Sequence, residues 1–314
     1  MSRLCAKVFP KALSSNRYIG DLGLANPCRG CGWDYRTTGD GSLPVMPDRI
    51  AAGPDQTAGV AFVHLATGLV AAFAAQFQLM SQTDAPEPVL KARVALRRLR
   101  VAVTAFAPIL DGRVTKGLQG RSQLIFRLLG EIRDADVLRA RFANDDRAEA
   151  MAQAAANQRR KGRKRLRRNK ADRFATEVTK RLTGKEWRRS GKKAQTLRKA
   201  PVALMAVTAL DRAWASCRSH GLQVPQSSAR ARHDLRKDLK TLRYLTEFFA
   251  PVWPSAAQEG FLATLRRLQD DLGDLTDTEM ARSKGLPGTP VPPDTLANAA
   301  SNWQAFLAQG PWWV

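Results

Sequence analysis

From about residue 57 onward, large apolar side chains recur every three to four positions, the spacing that places them on one face of an α-helix. Phe62, Leu65, Leu69, Phe73, Phe77 and Met80 follow this rule within the most apolar stretch, Ala58 to Phe77. His64, Thr67 and Gly68 interrupt that stretch, so it reads as a one-sided core helix and not as a membrane span. Ala, Leu, Arg, Lys, Glu and Gln dominate the rest, and β-branched runs are scarce. The pattern predicts helices over 57–81, 87–110, 115–130, 134–157, 171–183, 201–220, 229–250, 256–272, 275–284 and 294–309. Pro201 suits a first helical position, His220-Gly221 a stop, Asp294 an N-cap and Gly310-Pro311 a terminator. Asp134 and Asp277 read as N-caps, or else as acids that orient arginines of a neighbouring helix. Ser283 to Pro293 reads as a Pro/Gly-rich linker. Residues 1–55 are rich in Gly, Pro, Asn and Asp without a sustained period, which predicts a loosely ordered extension. Met46 is an alternative start just before the periodic part.

The chain also resembles itself. VLKARVALRRLRVAVTAFAP, from Val89, aligns with RHDLRKDLKTLRYLTEFFAP, from Arg232, at a constant offset of 143 residues. Arg93 matches Arg236, Arg97 matches Lys240, and Arg100 matches Arg243. Phe106-Ala107-Pro108 matches Phe249-Ala250-Pro251, and further on Leu129-Gly130 matches Leu272-Gly273 and Asp134 matches Asp277. Register kept over that distance points to a duplicated helical unit.

Helical geometry states what each copy displays. With His233 at zero and about 100° per residue, Arg236, Lys240 and Arg243 fall at about 300°, 340° and 280°, flanked by Lys237 at about 40°. Leu235, Leu239, Leu242 and Phe249 lie between about 160° and 240°. In the first copy Arg93, Arg97 and Arg100 take the cationic angles, opposite Leu96, Leu99, Val103, Phe106 and Leu110. Burying the apolar stripe is therefore expected to hold the cations outward. A plain solvated face is the competing reading. Against it, no acid lies between Val89 and Leu110, and Asp234 and Asp238 sit at about 100° and 140°, away from the cations. Two unit charges about 7 Å apart repel by about 0.6 kcal/mol in water and about 2.4 kcal/mol at an effective dielectric of 20. A bound polyanion, or acids elsewhere in the fold, would relieve this, and the planar, bidentate guanidinium suits phosphate oxygens.

Overall charge sharpens the picture. The 314 residues carry 51 Lys and Arg against 28 acids, a net +23, which favours polyanionic partners. Between Asn157 and Lys199 lie 19 basic residues and three acids, so this segment holds +16 of the total. Its densest part, Gln158 to Lys170, reads as a solvated basic insertion or an electrostatic arm that captures polyanions. Four cysteines are too few for a disulfide framework and suggest a reducing compartment, and no secretory signal is visible; a soluble cytoplasmic protein is expected. Cys28 and Cys31 form a lone CxxC without a second pair at zinc spacing. No phosphate-binding glycine loop, HExxH or GxSxG motif is present, so neither a catalytic residue nor a metal or cofactor site is expected.

VLKARVALRRLR with LGEIRDADV, and HDLRKDLKTLRY with LQDDLGDLTD, resemble the two halves of a CHAD domain, the family named for its histidines in an α-helical domain. The resemblance covers roughly residues 57–310. It implies an all-α duplicated bundle of two four-helix subdomains, related by a pseudo-two-fold, with a basic central cleft that binds inorganic polyphosphate without catalysis. It implies the cytoplasm, at polyphosphate or storage granules, as the location. The expected division is an extension at 1–55, a first half at 56–200 that includes the basic insertion 157–199, and a second half at 201–314. The candidate polyphosphate contacts are Arg93, Arg97, Arg100, His233, Arg236, Lys237, Lys240 and Arg243. The family's first-half histidine falls at Leu90, so His233 alone remains. Many members carry a CYTH triphosphatase domain upstream; 55 residues without a Glu-x-Glu-x-Lys strand do not match one, which suggests a stand-alone member. His233 is expected to be partly charged near neutral pH, as a ligand contact or a structural hydrogen-bond partner. His220 reads as a helix-terminal residue and His64 as packed within its helix face. Nucleic acid is the competing polyanion, though no aromatic residue interleaves the first basic stripe for base stacking.

Overall fold

The computed structural model describes residues 50–221, 228–283 and 294–313. Cys28, Cys31, Met46 and the linker at 284–293 lie outside the described residues. Among the described residues ten helices follow one another: α1 (Ala58–Gln82), α2 (Glu87–Ala105), α3 (Gly112–Arg141), α4 (Ala148–Arg168), α5 (Phe174–Thr183), α6 (Lys192–Lys199), α7 (Val202–Gly221), α8 (Ala229–Phe249), α9 (Ala256–Ser283) and α10 (Thr295–Gln309). The described residues contain no strand beyond two isolated bridges, Thr57 with Pro201 and Leu110 with Arg188. The fold is all-α, as the periodicity predicts.

The element boundaries recur at the offset of the sequence repeat. A short 3-10 turn at Ala107–Ile109 closes α2, and one at Ala250–Val252, 143 residues later, closes α8. Each turn holds the proline of the repeated Phe-Ala-Pro, which cannot continue an α-helix hydrogen-bond ladder.

Two compact units form. Among the described residues, the first comprises Val63–Gln195 and the second those of 50–62 and 196–313. In the first unit α2 packs on α3 and α3 on α4. Leu65, Leu69, Phe73, Leu96, Leu99, Phe106, Phe126 and Leu129 are almost fully buried, and the rings of Phe73 and Phe174 meet edge to face at 5.6 Å. In the second unit α7 packs on α8, α8 on α9, and α9 on α10. Its core gathers Trp214, Phe261, Phe306 and Trp313, with the Trp214 and Phe306 centroids 4.8 Å apart. The Trp313 indole donates to Asp211 Oδ1 at 2.8 Å, which satisfies the one polar group of that buried ring.

Several expectations change. The extension read through residue 55 ends earlier: Ala52 is fully buried and donates its N–H to the Phe248 carbonyl at 2.7 Å, while Val202 N–H bonds to Gln56 O at 2.9 Å. The break expected at 131–133 is absent. α3 starts at an Asp111 cap, whose Oδ1 accepts from Arg113 and Val114 N–H, and runs unbroken to Arg141. α9 likewise continues past Leu272-Gly273. Asp134 and Asp277 therefore stand inside helices and cap neither. Asp294 does take the N-cap position of α10 but makes no side-chain cap bond, and His64 is exposed. α1 is long and apolar enough to cross a membrane, yet 56% of its most apolar window is buried within the fold, as a core helix requires.

The largest correction concerns the basic run. Gln158 to Arg168 forms the second half of α4, and one face of it is packed in the first unit. Met151, Ala155, Arg159, Gly162 and Leu166 are buried. Gly162 permits close approach to α3, since a Cβ there would stand 2.5 Å from Ile132 Cγ1. Arg159 holds Asp136 through one Nη2 at 2.8 and 2.7 Å from the two carboxylate oxygens, with both side chains at most 5% exposed. Burial pushes the Asp136 carboxyl upward, and the Arg159 charge opposes that push. Arg163 donates to the carbonyls of Met80 and Thr83 and to Asp84, and Arg165 pairs with Glu131. A deletion of 158–170 would remove a structural helix and not a free arm.

Breaking the buried pair leaves one uncompensated charge. Asp136→Ala should lower unfolding free energy by about 3–5 kcal/mol in urea titrations, and Asp136→Leu combined with Arg159→Met by much less.

Candidate basic site

The candidate residues lie where the repeat puts them, Arg93, Arg97 and Arg100 on α2 and His233, Arg236, Lys237, Lys240 and Arg243 on α8. They are not the open solvated stripes that the helical angles suggested. Arg93 is 6% exposed, Arg236 2% and Lys240 9%. Arg97, Arg100, His233 and Arg243 are half-buried, and Lys237 alone is open to solvent. A helical-wheel angle describes one helix; burial depends on what packs beside it.

On α2 the geometry explains how a guanidinium tolerates the interior. Arg93 Nη1 donates to the Phe126 carbonyl of α3 at 2.8 Å, and its Cζ lies 4.0 Å from the centroid of the Phe126 ring. Gly130 makes room: a Cβ there would stand 2.5 Å from that same Nη1. Leu129-Gly130 thus forms part of a cradle for the buried Arg93. The helix that the sequence pattern ends at residue 130 continues through this glycine. Arg97 Cζ stands 5.2 Å from the same Phe126 ring, within cation–π range, and pairs with no carboxylate among the described residues. Arg100 Nε reaches Gln119 Oε1 at 3.4 Å, while Gln119 Nε2 donates to Arg100 O and Thr104 Oγ1, each at 3.0 Å.

On α8 the carboxylates sit closer than the angles implied. Lys237 Nζ donates to Asp234 Oδ1 at 2.9 Å across an i,i+3 step, which lowers the Asp234 carboxyl. Arg243 Nε lies 3.6 Å from Glu247 Oε1 across an i,i+4 step, and its Cζ is 5.2 Å from the Tyr244 ring centroid. Asp238 faces away and meets His220 Nδ1 at 2.6 Å. Arg236 and Lys240 have interactions within the fold. Charge on this face is therefore partly compensated at its edges, at Lys237 and Arg243.

His233 lies amid these cations. Its Nδ1 is buried without a hydrogen-bond partner among the described residues. Burial first, then the charges of Lys237, Arg236 and Lys240, against Asp234, push it down to about 4. The imidazole is neutral at pH 7, which corrects the expectation of partial charge. An anion placed against it would reverse the charge effect and raise it. At the matching place on α2, Leu90 is half-buried.

These groups supply fixed positive charge, N–H donors and one histidine nitrogen, a set suited to holding oxyanions. Among the described residues no group of three or more His, Cys, Asp and Glu could hold a metal ion.

Each unit is an all-α packing in which a helix of the sequence repeat carries buried or half-buried cations, Arg93, Arg97 and Arg100 on α2 and Arg236, Lys240 and Arg243 on α8. The CHAD domain family model matches residues 64–284, and the chain belongs to that family. A similar solved structure, described as the crystal structure of the CHAD domain from the plant Ricinus communis, superposes with a TM-score of 0.62 at 19% identity. It covers 86% of this chain and 93% of that one, a likeness of fold. Comparison with curated proteins gives no match.

Two measurements check the site. Gly130→Ala drives a methyl into the Arg93 guanidinium and should destabilise the fold by about 1–3 kcal/mol, with much of the loss absent in an Arg93→Ala background. His233, pushed below its unfolded value near 6.5, favours the folded state above that pH and loses this contribution as pH falls towards 4. His233→Leu should therefore flatten the fall in melting temperature over this window.

Proposed function

We propose that this protein binds inorganic polyphosphate without catalysis, through the cationic residues of α2 and α8. The observation that carries the reading is the recessed set of cations repeated at the same offset, with Arg97 lacking any carboxylate partner among the described residues and His233 Nδ1 lacking a hydrogen bond. Membership of the CHAD family supports it. Arg97 and Arg100 on one helix, and His233, Arg236, Lys237, Lys240 and Arg243 on the other, are the proposed contacts; Arg93 acts mainly by shaping the α2 face from within. Because one chain carries both helices, a polymer long enough to reach both gains effective concentration at the second. Association with cytoplasmic polyphosphate or storage granules belongs to the same proposal, through the polymer itself.

Titration with polyphosphates of graded length tests it. Affinity per phosphate should rise with length, and Arg97→Gln combined with Lys237→Gln should weaken long-chain binding about tenfold or more while the melting temperature stays near wild type. Equal affinity of the folded variant and wild type would reject the site. Binding should also take up a proton: affinity for polyphosphate should increase as pH falls from about 6.5 towards 5, and His233→Leu should remove that increase.

A further inference from the structure

The outer face of α4 is a second cationic surface that the α2 and α8 sites leave unused. With Arg159 at zero and about 100° per residue, the buried positions Met151, Ala155, Gly162 and Leu166 fall between about 280° and 340°. Arg160, Lys161, Lys164, Arg167 and Arg168 fall between about 80° and 200°, and all five are exposed. They occupy about 12 Å of helix. Four acids of the first unit are engaged by other cations: Asp136 and Asp84 by Arg159 and Arg163, Glu131 by Arg165, and Glu177 by Arg121. None of the five forms an ion pair with a carboxylate among the described residues; Arg160 reaches only the Asn157 amide oxygen, at 3.0 Å.

Like charges at i,i+3 and i,i+4, such as Arg160 with Lys164, Lys164 with Arg167, and Lys164 with Arg168, repel and cost helix stability. The packed inner face and the Ala-rich first half of α4 offset that cost. A stripe kept rigid and convex, with its charges unpaired, suits a broad polyanion. The recessed arginines of α2 and α8 do not, because a stiff duplex with a persistence length of about 50 nm cannot bend into them. The stripe carries no aromatic side chain to stack bases, and the apolar positions that a membrane-surface helix would insert, Met151 and Leu166, are buried.

We propose that the outer face of α4 binds the phosphate backbone of double-stranded nucleic acid, without sequence preference and separately from the polyphosphate site. The test is fluorescence anisotropy on the full chain with a short labelled DNA duplex, over a range of salt. Wild type should bind with a steep salt dependence. Replacing Arg160, Lys161, Lys164, Arg167 and Arg168 together by Gln should weaken duplex binding at low salt more than tenfold and make the slope of log affinity against log salt shallower by about 3–4. The smaller change Lys161→Gln with Lys164→Gln should give an intermediate slope. Short-chain polyphosphate affinity should be unchanged in both, while Arg97→Gln should weaken polyphosphate and leave duplex binding intact. A folded five-site variant that binds duplex like wild type overturns the proposal. So does a wild type that binds anionic phospholipid vesicles through these residues but not DNA. Failure of polyphosphate to bind would leave the duplex result standing, so the two readings fail separately.

Discussion

Guanidinium groups placed inside a helical bundle set the terms for the rest of this molecule. An arginine is costly to bury unless its donors meet acceptors and its charge meets something polarisable. Arg93 meets both conditions at one spot, the Phe126 carbonyl at 2.8 Å and the Phe126 ring at 4.0 Å, and only because residue 130 has no side chain. Arg159 meets them differently, through a nearly fully buried Asp136. The two solutions serve different ends. The Asp136 pair neutralises its arginine and joins α3 to α4. The Phe126–Gly130 cradle fixes the Arg93 guanidinium against α3, one turn from Arg97 on the same helix.

Positive charge is thereby sorted into kinds. Some cations are spent in packing, among them Arg159, Arg163 and Arg165 on α4. Others are recessed beside the core on α2 and α8, where the surroundings strengthen any electrostatic contact relative to water. A third set stands exposed on the outer face of α4, where salt screens it strongly. Net charge alone gives no hint of this division, although each set differs in which polyanion it can reach. His233 reports the second environment: its descent to about 4 is the combined effect of burial and the neighbouring cations.

The helical class, the repeat and the cationic residues were all legible in the chain, because each rests on local spacing. Asp111 and the 3-10 turns at the repeated Phe-Ala-Pro follow from rules of chain direction and capping. Two glycines carry a meaning that local spacing does not express: Gly130 admits Arg93 and Gly162 admits Ile132. Nothing local marks Asp136 apart from Asp134, two residues away; the Arg159 of α4 that meets Asp136 does.

By itself, then, the amino-acid order determined that the chain is built of helices, that two of its segments match at an offset of 143 residues, and which helix faces carry charge. These depend on neighbours within one or two turns. Only the tertiary structure decided which charges are cancelled, which are recessed and which remain open, and that the densest basic run is a packed helix. Those outcomes depend on what another helix brings within about 4 Å, the range over which a hydrogen bond or ion pair forms.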